Sequence, residues 1–322
     1  MNVAIIGSNF ALKGYLPAIK KITNFKLKTI CSRNIKKIKQ NEIENKNITL
    51  EKNWKKVFNR NIDLVILAVP PVLQEKILFY NLKYKKKIIF EKPITHNYLK
   101  SKKIIELMKS KKIQSSINLT YVNHELFRKI KIIINNKNLG KVTNYKITWN
   151  FKSQDFNQRI KTWKTDEKKG GGIKNIFLTH LFSYCEFLFG TNQIINTKVK
   201  YQRFKGINYK KFISIKTKNP KNVNGKLLLY NKKKGHQNHN ILVQFEKGHI
   251  QLFTKSKDWT KDFVLIIRNK NKNKTTKFIS SNNFKDGRSK QIYTMLKDFI
   301  KIKNYNKIDY CLNAEKLNSK IN

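Results

Sequence analysis

Cysteine is scarce in this sequence, whose 322 residues include only three: Cys31, Cys185 and Cys311. They lie far apart and form neither a CxxC pair nor the spacing of a zinc site, which argues against a disulfide scaffold and a cysteine-based metal centre. Each thiol is expected to fill apolar space in a reducing compartment. His236 and His239 form an HxxH pattern, but no carboxylate stands beside them, which favours a surface turn. We predict no bound metal.

Long hydrophobic runs are also absent. No segment approaches the roughly 18–20 apolar residues that a helix needs to cross a bilayer, so no membrane partner is expected. Residues 2–7 are typical of a buried strand and not of a signal peptide, so we predict a cytoplasmic protein. Hydrophobic residues still make up 39% of the chain, and 322 residues exceed what one core usually spans. Two domains are therefore expected.

Acidic residues are few, 19 against 70 lysines and arginines, which gives a formal net charge of +51. Such a charge is compatible with a polyanionic partner such as nucleic acid. Arginine, whose bidentate fork reads phosphates and bases, nevertheless occupies only seven of the basic positions. Lysine, asparagine and isoleucine are spread along the chain, as AT-rich codon usage would produce, so we expect no specific nucleic-acid partner. The positive field still favours an anionic cofactor or substrate.

The first ~120 residues alternate short apolar runs with amphipathic stretches. Strands are predicted at residues 3–7, 25–31, 62–69, 87–90 and 113–119, and helices at 13–21, 54–58, 73–82 and 97–109. Strict alternation of strand and helix indicates a parallel sheet with helices on both faces, the doubly wound α/β class. We assign this domain to residues 1–120.

After residue 120 the pattern changes to neighbouring strands with short polar turns, which indicates a large, open and mostly antiparallel sheet. The predicted second domain, residues 121–322, is therefore also α/β. Its strands are expected at 142–151, 194–204, 211–217, 226–229, 241–245, 249–253, 263–267 and 275–279, and its helices at 127–134, 173–189 and 291–301.

The loop after the first strand lacks two of the three glycines of a dinucleotide fingerprint, because only Gly7 matches. The physical roles could be filled by other residues: Asn9 tolerates a positive φ, and Ala11 is small enough for close helix–strand packing. A pyrophosphate would then sit at the helix N-terminus, beside Ser8 and Phe10. An ordinary strand–helix turn fits the loop equally well.

The second strand ends in Ser32 and Arg33 instead of the carboxylate that binds an unphosphorylated adenosine ribose. A hydroxyl and a guanidinium suit a 2′-phosphate, so the sequence favours NADP over NAD as the cofactor. The alternative is that Arg33 is an ordinary solvated residue.

Several short motifs occur together in a defined order and spacing. They are Gly7 with Leu16-Pro17-Ala18, Ala68-Val69-Pro70-Pro71, Glu91-Lys92-Pro93, residues 138–142 (Asn-Leu-Gly-Lys-Val), and Gly170-Gly171-Gly172 with His180. In this combination the chain resembles the Gfo/Idh/MocA oxidoreductases, the relatives of glucose–fructose oxidoreductase and inositol dehydrogenase. The resemblance implies a Rossmann domain followed by an α/β domain with a large open sheet, and a homo-oligomer, commonly a dimer or tetramer.

The resemblance also implies a cofactor site and a reactive lysine. The segment Glu91-Lys92-Pro93, hereafter the EKP segment, would flank the nicotinamide, often with a cis bond before the proline. Lys92 would handle a proton or polarise the substrate oxygen, although a random lysine in such a basic chain would face solvent. The remaining cofactor contacts would come from Ala68, Val69, Pro70, Pro71, Glu91 and Gln74, the last at a place where the family often has histidine.

His180 matches the active-site histidine of the family and could take a hydroxyl proton as hydride leaves carbon; a core histidine is the alternative. The acid that the family usually has four positions earlier is missing, because Ile176 stands there. Either Lys92 and His180 carry the chemistry, or catalysis is weakened or lost. The resemblance places the substrate, a sugar, nucleotide sugar or cyclitol, beside Tyr121, Asn123 and Trp163. With the acid missing, Asn175 or Thr179 could orient it.

Overall fold

The computed structural model describes residues 1–35, 38, 47–153, 155, 162–204, 207–232, 236–301 and 307–321. The chain divides into two compact units. The first consists of Met1–Leu119 and Phe284–Leu312, and the second of Thr120–Asn283 and Asn313–Asn322.

The first unit contains a six-stranded sheet in the order β3-β2-β1-β4-β5-β6, in which every neighbouring pair is parallel. This confirms the doubly wound parallel sheet. Five strands were predicted, and the short β3 was not, because three residues give too little periodicity to detect. The strands are β1 Asn2–Ile6, β2 Lys26–Cys31, β3 Thr49–Glu51, β4 Leu64–Leu67, β5 Lys87–Phe90 and β6 Ser115–Ile117.

The strand order reverses between β1 and β4, and this reversal positions the candidate cofactor site. All four residues of β4, Leu-Val-Ile-Leu, are buried, as expected for a central parallel strand covered on both faces. Because β1 continues toward β2 on one side and β4 toward β5 on the other, a ligand crevice is expected outside their carboxyl ends. Gly7 and Ala68 follow these two ends directly.

Two long helices of the first unit begin at a side-chain cap or at prolines. Asn97 caps the helix Tyr98–Ser110 by accepting hydrogen bonds from the backbone N–H of Leu99 and Lys100. Pro70 and Pro71 stand at the start of the helix Pro71–Tyr84, where their missing N–H groups cost nothing. The helical segments are Ala11–Tyr15, which is a π-helix, Leu16–Lys20, Trp54–Phe58, Pro71–Tyr84, Tyr98–Ser110 and Arg288–Lys301.

The predicted domain limits need one correction, because the helix Arg288–Lys301 belongs to the first unit and not to a second domain spanning 121–322. Its apolar face packs into the same core as Val3 and Ile5 of β1. Sequence distance hid this arrangement, because an amphipathic stripe shows that a helix is buried without showing against what. The helix contributes Ile292, Met295, Leu296 and Phe299 to that core.

The second unit contains an eight-stranded sheet in the order β14-β13-β12-β11-β7-β10-β9-β8. Among the described strands of this sheet, only β7 and β10 pair in parallel, so the prediction of a large, mostly antiparallel sheet is confirmed. The strands are β7 Val142–Phe151, β8 Gln193–Phe204, β9 Ile207–Lys218, β10 Asn224–Asn231, β11 Asn238–Phe245, β12 Gly248–Thr254, β13 Val264–Asn269 and β14 Lys274–Ile279.

One face of this sheet packs against helices. Alternate residues of β7 are buried, and two of them stack on the helical segment between residues 174 and 189: Phe151 on Phe177 and Tyr145 on Phe189. The helical segments of this unit are Glu125–Asn136, the 3₁₀ turns Trp163–Thr165 and Glu167–Lys169, the π-helix Lys174–Leu178, and Thr179–Phe189. A helix Lys307–Ser319, which was not predicted, spans the point at Asn313 where the chain re-enters this unit.

Candidate functional site

The turn after β1 requires glycine at its first position. Gly7 has φ +131°, and a Cβ there would overlap the backbone carbonyl of Ala68. Its N–H donates to the carbonyl of Cys31 at 2.8 Å, and the N–H of Ala68 donates to Ile6 at 2.9 Å. The ends of β1, β2 and β4 are thus joined at one point. The conformational role expected for the single matching glycine is therefore present.

The rest of the loop differs from the expected geometry. Asn9 does not adopt a positive φ, because the helix already begins there and continues through a π-helical turn at Ala11–Tyr15. Ala11 is fully buried in the core beneath β1, in keeping with the close helix–strand packing expected of it. Phe10 lies edge-on to Tyr15, with ring centroids 5.7 Å apart. A one-residue π insertion of this kind cannot be read from a hydrophobic pattern.

Ser8 and Ser32 connect the phosphate loop to the end of β2. The Ser32 hydroxyl donates to the Ser8 hydroxyl at 2.9 Å and accepts the N–H of Asn34 at 3.2 Å. Arg33, which follows Ser32, is exposed. Residues 36, 37 and 39–46 lie outside the described part of the chain.

The EKP segment follows β5 and is held in place by Gln74. The Lys92–Pro93 peptide bond is cis, as the family resemblance implied. The Gln74 amide nitrogen donates to three carbonyls, those of Glu91 at 2.6 Å, Pro93 at 3.0 Å and Ile94 at 2.9 Å. Its amide oxygen accepts the N–H of Glu91 at 2.9 Å. Because Gln74 is fully buried, the structure makes it a positioning residue and not the cofactor contact that was predicted.

The Glu91 carboxylate is fixed by two donors that the sequence did not reveal. The Tyr15 hydroxyl and the Asn118 amide donate to the same oxygen, Oε1, at 2.6 Å and 2.8 Å. Burial raises the pKa of Glu91, while these hydrogen bonds and the positive charges of Lys92 and Arg288 oppose the rise. Lys92 itself is half-buried. Its neighbours in sequence are therefore immobilised on both sides, which restricts the places its ammonium group can reach.

Two of the three consecutive glycines in the second unit, Gly171 and Gly172, leave no room for a side chain. A Cβ on Gly171 would overlap the carbonyl of Trp163, and one on Gly172 would overlap the side chain of Glu167. The Asn175 amide donates to the carbonyl of Gly171 at 2.9 Å and faces that of Glu167 at 3.4 Å. Asn175 therefore holds this loop against the following helix. Its side chain is partly exposed, and the substrate contact stays a prediction.

His180 is the partly exposed residue in an otherwise buried stretch between residues 177 and 186. Its ring lies edge-on to Tyr121, with centroids 5.3 Å apart. Ile176, at the position of the missing acid, is also partly exposed. An apolar side chain therefore occupies the place from which a carboxylate would orient the imidazole.

The remaining predicted substrate residues are placed as follows. Thr179 is fully buried, its hydroxyl donating to Asn175 at 2.7 Å and accepting from Asn318 at 2.9 Å, so it supports the helix and offers nothing to a ligand. Asn123 is buried, and its amide oxygen accepts from Arg128 at 3.3 Å. Tyr121 is buried with its hydroxyl donating to the carbonyl of Trp259 at 3.3 Å. Trp163 is half-buried.

His239 belongs to a buried aromatic cluster, so the expected surface turn at the HxxH pattern is wrong for this residue. It lies in β11, is 1% exposed and stacks on Trp149 at 4.4 Å. Its Nε2 is hydrogen-bonded to the Tyr184 hydroxyl at 2.9 Å. Burial, assisted by the nearby His124, lowers the pKa of His239 to about 3.

We expect His239 to make folding stability depend on pH. The unfolded chain takes up this proton below the ordinary pKa of 6.5, whereas the folded chain resists it until about 3. The unfolding free energy should therefore fall as pH drops from 6.5 toward 3, by up to about 1.4 kcal/mol per pH unit from this group, and be unaffected by it above 6.5. Measured by urea unfolding between pH 7.5 and 5, the unfolding free energy of His239→Gln should fall less steeply with decreasing pH than that of the wild type. The exposed His236, replaced in the same way, serves as the control; equal slopes in all three proteins would contradict the assignment.

Other expectations concern the cysteines, metal binding and membrane-spanning helices. The three cysteines are free and buried, and burial raises the pKa of Cys31 to about 12. Within the described residues, no group of three or more His, Cys, Asp or Glu side chains could hold a metal ion. Across the same part of the chain, no helix has both the length and the apolarity that crossing a membrane demands.

Two family models cover most of the sequence. Residues 1–119 match the oxidoreductase family's NAD-binding Rossmann fold, and residues 131–315 match its C-terminal alpha/beta domain. The chain belongs to the Gfo/Idh/MocA oxidoreductase family. The resemblance inferred from the EKP segment and the triple glycine is thereby confirmed, as is the expectation of a nicotinamide dinucleotide fold.

The similar curated proteins are uncharacterised members. An oxidoreductase of Schizosaccharomyces pombe is 30% identical over 146 residues, which cover 44% of this chain and 38% of that protein. One from a Synechocystis species is 22% identical over 194 residues, covering 60% of this chain and 52% of the relative. The chain thus spans about half or less of the length of the curated relatives it matches.

Solved structures match over nearly the whole chain. Levoglucosan dehydrogenase in complex with NADH and levoglucosan has a TM-score of 0.82 at 14% identity, covering 99% of this chain and 95% of that one. A 3-ketoreductase from Actinomadura kijaniata, in complex with NADP and TDP-benzene, has a TM-score of 0.80 at 14% identity, with 99% and 96% covered. At these identities the likeness shows a common fold.

Proposed function

We propose that this family member transfers hydride between NADP(H) or NAD(H) and a hydroxyl-bearing carbon of a sugar, nucleotide sugar or cyclitol. The observation that carries the proposal is the EKP segment at the carboxyl end of β5, fixed by Gln74 on one side and by Tyr15 and Asn118 on the other. Such preorganisation is what a reacting side chain requires, because a misplaced group loses most of its catalytic effect.

The residues of the first unit fit a dinucleotide. Gly7 allows the β1 turn to approach Ala68, and the helix that begins at Asn9 presents its N-terminal N–H groups at the same edge. We assign Gly7, Ser8, Asn9 and Phe10 to the phosphates and the segment 68–71 to the middle of the cofactor. The exposed Arg33 beside Ser32 supports NADP over NAD. The cofactor, when bound, supplies the acceptor or donor of hydride.

Lys92 and His180 divide the proton chemistry in this proposal. Lys92 polarises the substrate oxygen through its ammonium group, and neutral His180 accepts the hydroxyl proton as the carbon is oxidised, or returns it during reduction. Trp163 and Tyr121 are proposed to border the substrate. The levoglucosan named with one solved structure and the TDP-benzene named with the other support a carbohydrate or nucleotide-sugar substrate. A cytoplasmic location, a homo-oligomer and the absence of a specific nucleic-acid partner remain predictions.

A second candidate function is cofactor binding without efficient turnover. Ile176 favours it, because no carboxylate stands one helical turn before His180 to orient the imidazole.

A single experiment separates the two. We expect the purified chain to bind NADPH more tightly than NADH in a fluorescence titration, and to change nicotinamide absorbance at 340 nm with at least one member of a panel of sugars, sugar nucleotides and cyclitols. Binding without any absorbance change across the panel, with both cofactors and in both directions, would support the second candidate. Failure to bind either cofactor would refute both.

A further inference from the structure

The phosphate loop has a cationic neighbour that comes from the far end of the sequence. Arg288 is the first residue of the helix Arg288–Lys301, and its guanidinium carbon lies 4.2 Å from the centroid of the Phe10 ring. Both residues belong to the first unit, whose core the helix helps to build. An arginine nearly 280 positions away in sequence is thereby fixed against the loop that follows β1.

The guanidinium is held in a defined orientation. Asp286 receives two hydrogen bonds from it, Nε to Oδ1 at 2.9 Å and Nη2 to Oδ2 at 2.6 Å. Asp286 also accepts the backbone N–H of Arg288 at 3.0 Å, which anchors the pair to the start of the helix. This bidentate pairing fixes the plane of the guanidinium. The Arg288 side chain remains 45% exposed, so its charge is accessible to a ligand.

The position of this charge coincides with the path expected for the middle of a dinucleotide. On one side lies Phe10 of the loop that we assign to the phosphates. On the other lies Glu91 of the EKP segment, close enough for the Arg288 charge to act on it. A dinucleotide that runs from the phosphate loop to the EKP segment must carry its two anionic phosphates between these points.

We propose that Arg288 binds the diphosphate of the dinucleotide, and that Phe10 and Asp286 hold its guanidinium in the orientation that binding requires. This inference rests on the proposed function. It also explains how a loop with only one of the three fingerprint glycines can still bind phosphate. Without the other two glycines the backbone N–H groups of the loop approach the phosphates less closely, and a preorganised side chain compensates. Arg288 is one of only seven arginines in this lysine-rich chain, and arginine suits a diphosphate because its fork contacts two oxygens at once.

Isothermal titration of the wild type and of Arg288→Ala with ADP-ribose and with AMP tests the assignment. ADP-ribose carries the diphosphate without nicotinamide, and AMP lacks the diphosphate. We expect Arg288→Ala to weaken ADP-ribose binding about tenfold, the effect of one charge-assisted hydrogen bond of about 1.4 kcal/mol, and AMP binding less than about twofold. Arg268→Ala, which removes an exposed arginine from β13 of the second unit, is the charge-matched control and should bind both ligands normally.

Three outcomes would overturn the assignment: unchanged ADP-ribose affinity in Arg288→Ala, equal weakening of ADP-ribose and AMP, or the same loss in Arg268→Ala. Arg288→Gln provides a second variant if the alanine protein does not fold, and wild-type affinity for ADP-ribose in that variant would equally refute the proposal. Failure of the wild type itself to bind ADP-ribose and both dinucleotides would instead refute the proposed function.

Discussion

Replacing Lys92 with alanine is expected to lower turnover by about 10²-fold or more while leaving the affinity for the nicotinamide cofactor nearly unchanged. The reason is that an ammonium group polarising a reacting oxygen acts mainly in the transition state, whereas the phosphate loop and the segment 68–71 provide most of the cofactor binding. Steady-state kcat, together with the cofactor dissociation constant from a fluorescence titration, measures both quantities on the same protein.

Two further variants make this result specific. Lys92→Arg keeps the positive charge but cannot release a proton near neutral pH, so it separates electrostatic polarisation from proton transfer. Lys103→Ala removes an exposed lysine from the helix Tyr98–Ser110 and controls for a general loss of charge in this very basic chain. Activity retained in Lys92→Ala would show that the proposed mechanism is wrong. A similar loss of turnover in Lys103→Ala would show that the overall positive charge of the chain causes the effect.

Gln74→Ala is expected to be among the most destabilising single substitutions in the first unit. The change leaves three carbonyls and one N–H of the residues 91–94 without the partner that Gln74 provides, in a place where the side chain is fully buried. Each buried polar group left unsatisfied costs on the order of 1–3 kcal/mol, so the free energy of unfolding should fall by at least about 3 kcal/mol. Turnover should fall as well, because Lys92 loses its rigid support.

The isosteric variant Gln74→Glu distinguishes hydrogen bonding from packing. It preserves the volume and the acceptor for the Glu91 N–H but removes the amide hydrogens that serve three carbonyls. We expect it to be nearly as unstable as the alanine variant in urea unfolding, and Gln193→Ala, an exposed glutamine on β8, to be neutral. Wild-type stability in Gln74→Glu would mean that packing alone maintains the EKP segment.

Much of the fold was predictable because its signals are local. The buried run Leu64–Leu67 and the alternation along β7 have the periodicities of a central parallel strand and of a half-covered antiparallel one. The short strand β3 and the two π-helical turns were missed, since three residues or one inserted residue leave no periodic trace. Asn9 illustrates the consequence: the loop composition suggested a positive φ, whereas the helix simply begins one turn earlier.

The candidate site was predictable only in part, because residue type indicates chemistry but not availability. Three side chains that could bind a ligand are instead hydrogen-bonded to the protein groups around them: Gln74, Thr179 and Asn175. His239 carries no sequence sign of burial. Its neighbours Trp149 and Tyr184 come from distant elements, and only their convergence excludes water and keeps the imidazole neutral.

The sequence by itself determined the family, the doubly wound parallel sheet, the antiparallel second sheet and the two residues, Lys92 and His180, on which the proposed chemistry depends. These follow from short motifs and from periodicity, which can be recognised in the local sequence without any knowledge of long-range contacts. The tertiary structure decided what holds Lys92 in place, and it moved the helix Arg288–Lys301 into the first unit beside the phosphate loop. Such contacts join residues up to hundreds of positions apart, and they are set by which apolar faces and hydrogen-bonding groups meet in the folded core.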